Sequence, residues 1–190
     1  MTSNPAQMTS NRATSFAILL SLVTILLSQS LRADSVEQIN AGTSEALAAL
    51  RSHVEGTDKL LKKAAGVLVF PDVVKLGFGV GGEFGEGVLL VEGEPEAYYA
   101  TSGAAFGMKL GQQIKSEVIV FRTEQALADF RSTRGWSVGV DGKVFTFDQG
   151  EGAAFKGREI DDPVVAFIFT REALLPGLTL DGAKITRLAR

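Results

Sequence analysis

The chain has 190 residues, with 19 basic and 22 acidic side chains and no cysteine. The lack of cysteine excludes disulfides, a thiol nucleophile, a thiolate metal site and a lipid-modified cysteine. Residues 1–33 contain Arg12 and Arg32 but no acid, so residues 34–190 carry 17 basic and 22 acidic side chains, a net charge of −5. Nucleic-acid binding needs a concentrated basic surface, so this balance argues against a nucleic-acid partner.

The first 33 residues have the pattern of an export signal. Arg12 stands in a short polar leader and is followed by a mostly apolar run over residues 16–27. That run is too short to cross a bilayer comfortably, because a spanning helix needs about 20 apolar residues. We therefore predict a cleaved signal peptide over residues 1–33, with an uncleaved amino-terminal anchor as the alternative. The protein is then exported, and is periplasmic or envelope-associated.

Residues 34–190 are predicted to form one domain that begins with two helices. Apolar residues at helical spacing predict a helix over residues 35–54, which Gly56 is expected to end. A second, shorter helix is predicted over residues 58–65, with Thr57 as its amino-terminal cap.

A glycine-rich strand is the most informative segment of the chain. A short strand over residues 67–70 is expected to close at Pro71, and six of the eleven residues 77–87 are then glycines. At the two-residue spacing of a strand, apolar side chains point to one side and glycines to the other. The same alternation recurs over residues 102–111. Two such strands side by side would form a glycine face that includes Gly77, Gly79, Gly81, Gly103 and Gly107.

Something should lie close to this glycine face. Glycine weakens a strand interior and marks a bend, a bulge, or the close approach of a ligand or another backbone. Two occupants are expected as alternatives, either a lipid chain or the protein's own alanine-rich helix over residues 41–49. The other side of the first strand is apolar, with Leu76, Phe78, Val80 and Phe84.

The second half of the chain is predicted to complete the sheet. Residues 118–121 have the composition of a strand, and Thr123 is expected to cap a helix over residues 124–132. The apolar run 164–169 predicts a strand with both faces covered, and residues 149–158 predict a long loop.

Two Asp-Gly pairs, at residues 141–142 and 181–182, predict hairpins with two-residue turns. Each turn fixes which residues oppose each other across the two strands. The expected opposed pairs are Trp136 with Phe147, and Leu178 with Ile185. All these elements predict an α+β domain, with a strongly bent, mostly antiparallel, barrel-like sheet and two or three covering helices.

The residues give an enzymatic function no support. Residues 77–82 formally match a dinucleotide-binding fingerprint, but the segment continues as a strand and no helix follows. His53, the only histidine, is interpreted as a solvated helix residue, because catalysis and metal binding need convergent partners. Asp161 and Asp162 precede a proline and are interpreted as a turn. We expect no catalytic residue, metal or cofactor.

Basic residues occur in two clusters, one on the second predicted helix and one at the carboxyl end: Lys59, Lys62 and Lys63, then Lys184, Arg187 and Arg190. The helix dipole and ordinary solvation explain the first cluster about as well as a function does. If the two clusters met on one face, they would form a patch for anionic headgroups. Each basic side chain near a charged membrane contributes about 1 kcal/mol.

Several ordered motifs resemble the SYLF lipid-binding domain family, and the last is similar to its exported bacterial branch. They occupy residues 63–71, 77–82, 85–89, 106–113, 162–167 and 178–185. The resemblance implies a non-enzymatic domain that binds acidic phospholipids. In eukaryotic members of that family the lipids are phosphoinositides, and the domain also serves actin regulation. For an exported protein, the resemblance implies only the general property of binding a lipid surface.

The leading hypothesis is therefore an exported, non-enzymatic module that binds anionic phospholipid or a membrane surface. Its candidate headgroup contacts are Lys59, Lys62, Lys63, Lys75, Lys184 and Arg187. The alternative is a structural or protein-interaction protein of the cell envelope, with an envelope protein as partner and no lipid ligand.

Overall fold

The computed structural model describes residues 34–107, 113–147, 161–175 and 178–190, apart from the side chains of residues 77–80, 105–107 and 113. The predicted signal peptide over residues 1–33 and the predicted loop over residues 149–158 lie outside the described residues. The described helices are α1 (Val36–His53), α2 (Thr57–Lys63) and α3 (Glu124–Ser132). The strands are β1 (Gly66–Val91), β2 (Glu94–Gly107), β3 (Gln113–Phe121), β4 (Trp136–Ser137), β5 (Phe145–Phe147), β6 (Val164–Phe169) and β7 (Lys184–Arg187).

Helix α1 begins at a capping box and is followed by a glycine that redirects the chain. The Ser35 hydroxyl accepts a hydrogen bond from the Gln38 amide at 3.2 Å, and the Ser35 amide donates to Gln38 Oε1 at 2.8 Å. This reciprocal pair satisfies two amides near the helix start. Gly56 has a φ of +93°, which glycine adopts without steric cost, and it leads the chain into α2. Both amino-terminal helices are confirmed.

The two predicted threonine caps have different outcomes. Thr123 caps α3 as predicted, because its Oγ1 accepts a hydrogen bond from the Ala126 amide at 3.2 Å. The prediction for Thr57 is wrong. Gly56 occupies the cap position, and the hydroxyl of Thr57 instead donates to the Val54 carbonyl at 2.9 Å.

The seven described strands form one sheet in the order β4-β7-β2-β1-β3-β6-β5. All neighbouring strands are antiparallel except β5 and β6, which are parallel. Together with the three helices this is an α+β fold with a bent, mostly antiparallel sheet, as predicted.

Strand β1 is the centre of the fold and runs for 26 residues. Its first part pairs with β3, from Gly66 opposite Phe121, and its second part pairs with β2. The prediction that Pro71 closes a short strand is wrong. The register slips between Phe70 and Val73, and such a bulge accommodates a proline that has no amide hydrogen for the ladder.

The predicted pairing of the two glycine-rich strands is confirmed. Gly79 lies opposite Gly107, Gly81 opposite Ala105, and Glu83 opposite Gly103. Directly opposed residues of antiparallel strands share a face, so these positions form one continuous face across β1 and β2.

The first half of β1 covers the glycines of its second half. A Cβ atom on Gly87 would lie 2.2 Å from the Val69 carbonyl oxygen, and one on Gly85 would lie 2.9 Å from the Asp72 carbonyl oxygen. The two halves of the strand therefore pack backbone against backbone. The prediction that the alanine-rich helix covers the glycine face is wrong at Gly85 and Gly87.

The sheet separates two hydrophobic cores. Helix α3 packs on the first core, which contains Leu68, Phe70, Ile119, Phe121, Leu127, Phe130 and Trp136. Helices α1 and α2 pack on the second core, which contains Ala46, Leu50, Leu60, Val69, Val118, Val120 and Phe167. Alternation along the strands sends neighbouring residues to different cores. All six residues of β6 are buried, which confirms the prediction of two covered faces.

The first Asp-Gly hairpin is not formed. The Ser137 amide donates to Asp141 Oδ2 at 2.7 Å, and the Asp141 amide donates to the Ser137 carbonyl at 2.8 Å, so the chain turns within residues 137–141. Strand β5 then pairs with β6, where Phe147 lies opposite Phe167. The predicted opposition of Trp136 and Phe147 is wrong, because the aspartate side chain closes a different turn.

The second Asp-Gly turn is confirmed, but its hairpin is not. The Ala183 amide donates to the Leu180 carbonyl at 2.9 Å, as the turn requires. Ile185 lies opposite Thr101 rather than Leu178, because β7 pairs with β2 on one side and β4 on the other. The predicted pair of Leu178 and Ile185 is wrong.

Candidate functional site

Three large apolar side chains remain more than half exposed at one end of the sheet. Leu76, Phe84 and Ile114 are 58%, 52% and 51% exposed. Leu76 and Phe84 are an even number of residues apart in β1, and Ile114 lies opposite Val74. Because side chains alternate along a strand and opposed residues share a face, all three lie on the face away from the glycines. We call these three residues the apolar end.

The path of β1 places the apolar end away from α2. Its two halves lie face to face, with Gly87 against Val69, so residues 74–84 form the bend of the strand. The two ends of β1 lie beside α2, where Val67 and Val91 line a cleft with α2 residues. Helix α1 packs against the same face of the sheet through Tyr98, whose hydroxyl donates to Asn40 Oδ1 at 3.1 Å. The apolar end remains exposed.

One of the predicted headgroup contacts shares a face with the apolar end, and another is only its neighbour along the chain. Lys75 immediately precedes Leu76 in β1, so alternation points its side chain to the other face of the sheet. Lys184 of β7 is exposed and lies opposite Ser102, which in turn lies opposite Phe84. Lys184 and Phe84 therefore belong to one cross-strand row on one face of the sheet.

The other predicted contacts lie elsewhere. Lys59, Lys62 and Lys63 are exposed on α2, at the opposite end of β1 from the apolar end. Arg187 is exposed and lies opposite Tyr99. Arg190 Nη2 donates to Glu86 Oε2 at 2.6 Å. Whether the α2 cluster and the carboxyl-terminal cluster form a single patch stays a prediction.

Where the surroundings of the glycine face are described, other residues of the protein lie against it. At Gly103, a Cβ atom would lie 3.4 Å from Glu83 Oε1 and 3.7 Å from Ala183 Cα. Because Gly103 has no side chain, the Glu83 carboxylate can lie close to its backbone. Gly77, Gly79, Gly81 and Gly107 are strand residues of β1 and β2, and whether a lipid chain approaches them stays a prediction.

A buried charged triad lies on the same side of the sheet as the glycines. Lys115 Nζ lies 2.9 Å from Glu83 Oε2 and 3.0 Å from Glu117 Oε1. The side chains of Lys115 and Glu117 are 10% and 1% exposed. Glu83 belongs to the second half of β1, whereas Lys115 and Glu117 belong to β3, which pairs with the first half. The triad thus ties the two halves of the bent strand together.

Burial sets the protonation of this triad. Desolvation raises the pKa of the Glu117 carboxyl, and the attraction of the Lys115 ammonium only partly opposes it. Desolvation also opposes the charge on Lys115, but Glu117 and Glu83 outweigh it and raise the pKa of that amine. Glu117 Oε1 accepts no hydrogen bond of good geometry from the described residues, although the Lys115 ammonium is near.

A cleft of about 570 Å³ lies beside α2. Its apolar wall includes Leu47, Leu61, Val67, Leu90 and Val91. Its charged rim consists of Arg51, Asp58, Lys62, Glu92 and Glu124. Lys62 is thus a predicted contact that does line a cavity, whereas Lys59 and Lys63 do not border this cleft.

The remaining polar candidates from the sequence are His53, Asp161 and Asp162. His53 is half-buried, with its Nε2 3.2 Å from the Thr170 carbonyl oxygen and its ring against the edge of Phe169. The prediction that it is a solvated surface residue is wrong, because α1 packs this side chain on the chain segment after β6. Asp161 and Asp162 are exposed and precede β6. Within the described ranges, no three His, Asp or Glu side chains converge as metal ligands.

Sequence reasoning missed Ile114 and the triad. Lys115 and Glu117 are two residues apart in a strand whose next four residues are buried and apolar. Alternation along the strand places both charged side chains on a buried face of the sheet, and this pattern could have predicted the triad. No such sequence pattern predicts that Ile114 is exposed, because its exposure depends on how far α1 extends over the sheet.

No family model matches this chain, and no curated protein matches it. Among the described residues, no helix combines the length and apolar character needed to span a membrane.

Proposed function

We propose that this protein is an exported, non-enzymatic module, similar to SYLF domains, that binds acidic phospholipid at a membrane surface of the cell envelope. The observation that carries the proposal is the apolar end, where Leu76, Phe84 and Ile114 are each more than half exposed on one face of the sheet. In this arrangement their side chains enter the acyl region of one leaflet, while Lys184 contacts headgroups.

The apolar end has the character of an interaction surface. Scattered exposed apolar residues are ordinary on soluble proteins, but a contiguous set with polar flanks marks contact with a membrane or a partner. Each described member of this set is a large aliphatic or aromatic residue. Withdrawing such a side chain from water contributes about 1.5–3 kcal/mol when burial is complete, and about half that from half exposure.

The charge distribution favours acidic lipid over neutral lipid. The net charge of −5 over residues 34–190 opposes a general attraction to anionic surfaces, so only local basic side chains can act. Glu83, the nearest acid on the same segment of β1, is neutralised by Lys115. Lys184 remains exposed in the row that contains Phe84.

The proposal is tested by sedimentation with vesicles of acidic or neutral phospholipid at increasing salt. We expect binding to acidic vesicles, with weaker binding as salt screens the headgroup contacts. Lys184→Glu should reduce binding about thirtyfold, because it replaces an attraction with a repulsion worth about 1 kcal/mol each. Lys59→Glu changes the net charge equally, but on α2, and should leave binding nearly unchanged.

Equal binding to neutral and acidic vesicles would remove the electrostatic part of the proposal. If neither vesicle binds, the apolar end is instead a surface for an envelope protein, which is the alternative function.

A further inference from the structure

The cleft beside α2 is separate from the apolar end. It lies between α1, α2, the turn after β1 and the start of α3, at the opposite end of β1 from the apolar end. Its volume of about 570 Å³ is within the range of about 300–1,000 Å³ typical of small-molecule sites.

The wall of this cleft is apolar and only partly covered. Leu47, Leu61, Leu90 and Val91 are half-buried, and they continue into the buried Val67. Helix α2 has only seven residues and does not close over them. An alkyl chain laid along this wall would remove the remaining apolar surface from water.

The rim of the cleft carries charges of both signs. Arg51 Nε lies 2.8 Å from Asp58 Oδ1, so these two groups largely neutralise each other. Lys62, Glu92 and Glu124 remain, and none of the three has an ion-pair partner within the described ranges. The uncompensated rim is one ammonium and two carboxylates. A ligand with a single negative charge would meet Lys62 but would also be repelled by both glutamates.

We propose that the cleft beside α2 binds a single-chain zwitterionic amphiphile whose headgroup has a phosphate and an ammonium. The alkyl chain lies on the wall formed by Leu61, Leu90 and their neighbours. The phosphate contacts Lys62, and the ammonium contacts Glu92 and Glu124. This ligand class differs from the acidic membrane surface of the proposed function, and the inference does not depend on that function.

Two probes that share an acyl chain test the ligand class. Lysophosphatidylethanolamine carries both charges, and lysophosphatidic acid lacks the ammonium. With the whole protein in calorimetric titration below the micelle concentration, lysophosphatidylethanolamine should bind about tenfold more tightly. One charge-assisted contact contributes about 1.5 kcal/mol, which corresponds to that factor.

Matched variants identify the contacts. Lys62→Gln should weaken binding of both probes about tenfold, whereas Lys59→Gln, on the same helix but outside the cleft, should weaken neither. Glu92→Gln should weaken only lysophosphatidylethanolamine, and the nearby exposed Glu94→Gln should have no effect. All four residues are exposed, so the folded state should persist, as unchanged urea midpoints will verify.

The inference is overturned if lysophosphatidic acid binds as tightly as lysophosphatidylethanolamine, if Lys62→Gln and Lys59→Gln behave alike, or if lysophosphatidylethanolamine does not bind. Failure of vesicle binding with intact binding in the cleft contradicts the proposed function alone. Loss of the cleft contacts with intact vesicle binding contradicts this inference alone.

Discussion

Glu117 is an acidic residue that is buried inside the fold. It lies in β3 among buried apolar residues, and only the ammonium of Lys115 offsets its charge. Lys115 in turn is shared with Glu83, so the ionised triad would carry a net negative charge inside the fold. Burial therefore favours the protonated carboxyl, and the pKa of Glu117 is raised above its ordinary value of 4.5.

The raised pKa predicts how stability changes with pH. Between the ordinary value of 4.5 and the raised pKa of Glu117, the folded state holds a proton that the unfolded state has released. The contribution of this group to the free energy of unfolding therefore falls as pH rises through that window. Glu117→Gln, which cannot ionise, should lose this slope in urea unfolding measured across the window.

The exposed Glu94→Gln serves as the control and should retain the slope of the parent protein. If Glu117→Gln and the parent show the same pH dependence, Glu117 does not hold its proton in the folded state.

The bend of strand β1 requires glycine where its two halves pack together. Its second half lies so close to its first half that Gly87 faces the Val69 carbonyl oxygen directly. A ligand is not required to explain this part of the glycine face. The glycines at this contact allow one strand to bend back and pack on itself.

Two alanine substitutions in β1 test this role. In Gly87→Ala the new Cβ would lie 2.2 Å from the Val69 carbonyl oxygen, so the two halves must separate, at about 3 kcal/mol for severe overpacking. In Gly82→Ala the nearest atom is the Gly103 carbonyl oxygen at 3.9 Å. That change should be neutral, or stabilising by about 0.4–1 kcal/mol, because alanine restricts the unfolded chain. Denaturant midpoints compare the two variants. Equal midpoints would contradict the close packing of β1 on itself.

The elements that could be predicted are those fixed by local chemistry. The Thr123 cap is a local signal, and the helix that follows it lies where the sequence indicates. Pro71 and Asp141 are also local signals, but their outcomes depend on tertiary surroundings. A bulge accommodates Pro71 within β1, and the carboxylate of Asp141 closes its own turn on Ser137.

The candidate site was only partly predictable for the same reason. Alternation placed Leu76 and Phe84 on one side of a strand, and the structure confirms that arrangement. Their exposure is a tertiary property, because it depends on which part of the sheet α1 covers. The meeting of Lys62 with Glu92 at one cleft likewise depends on how both ends of β1 return to α2.

The whole molecule has two separated surfaces, one at each end of the folded β1. The apolar end presents exposed aliphatic and aromatic side chains with Lys184 on the same face. The opposite end presents the cleft with Lys62 and the glutamates. We propose that the protein contacts a membrane at one end and holds an individual amphiphile at the other.

The double variant Leu76→Ser/Phe84→Ser tests whether the apolar end enters the membrane. Val140→Ser is the matched control, because Val140 is 84% exposed on a turn distant in sequence from the apolar end. In sedimentation with acidic vesicles, the double variant should lose about tenfold or more in partitioning, since two partly exposed apolar side chains no longer leave water. The control should bind like the parent protein, and a cooperative urea transition will verify that both variants remain folded. Equal partitioning of the double variant and the parent would contradict the account.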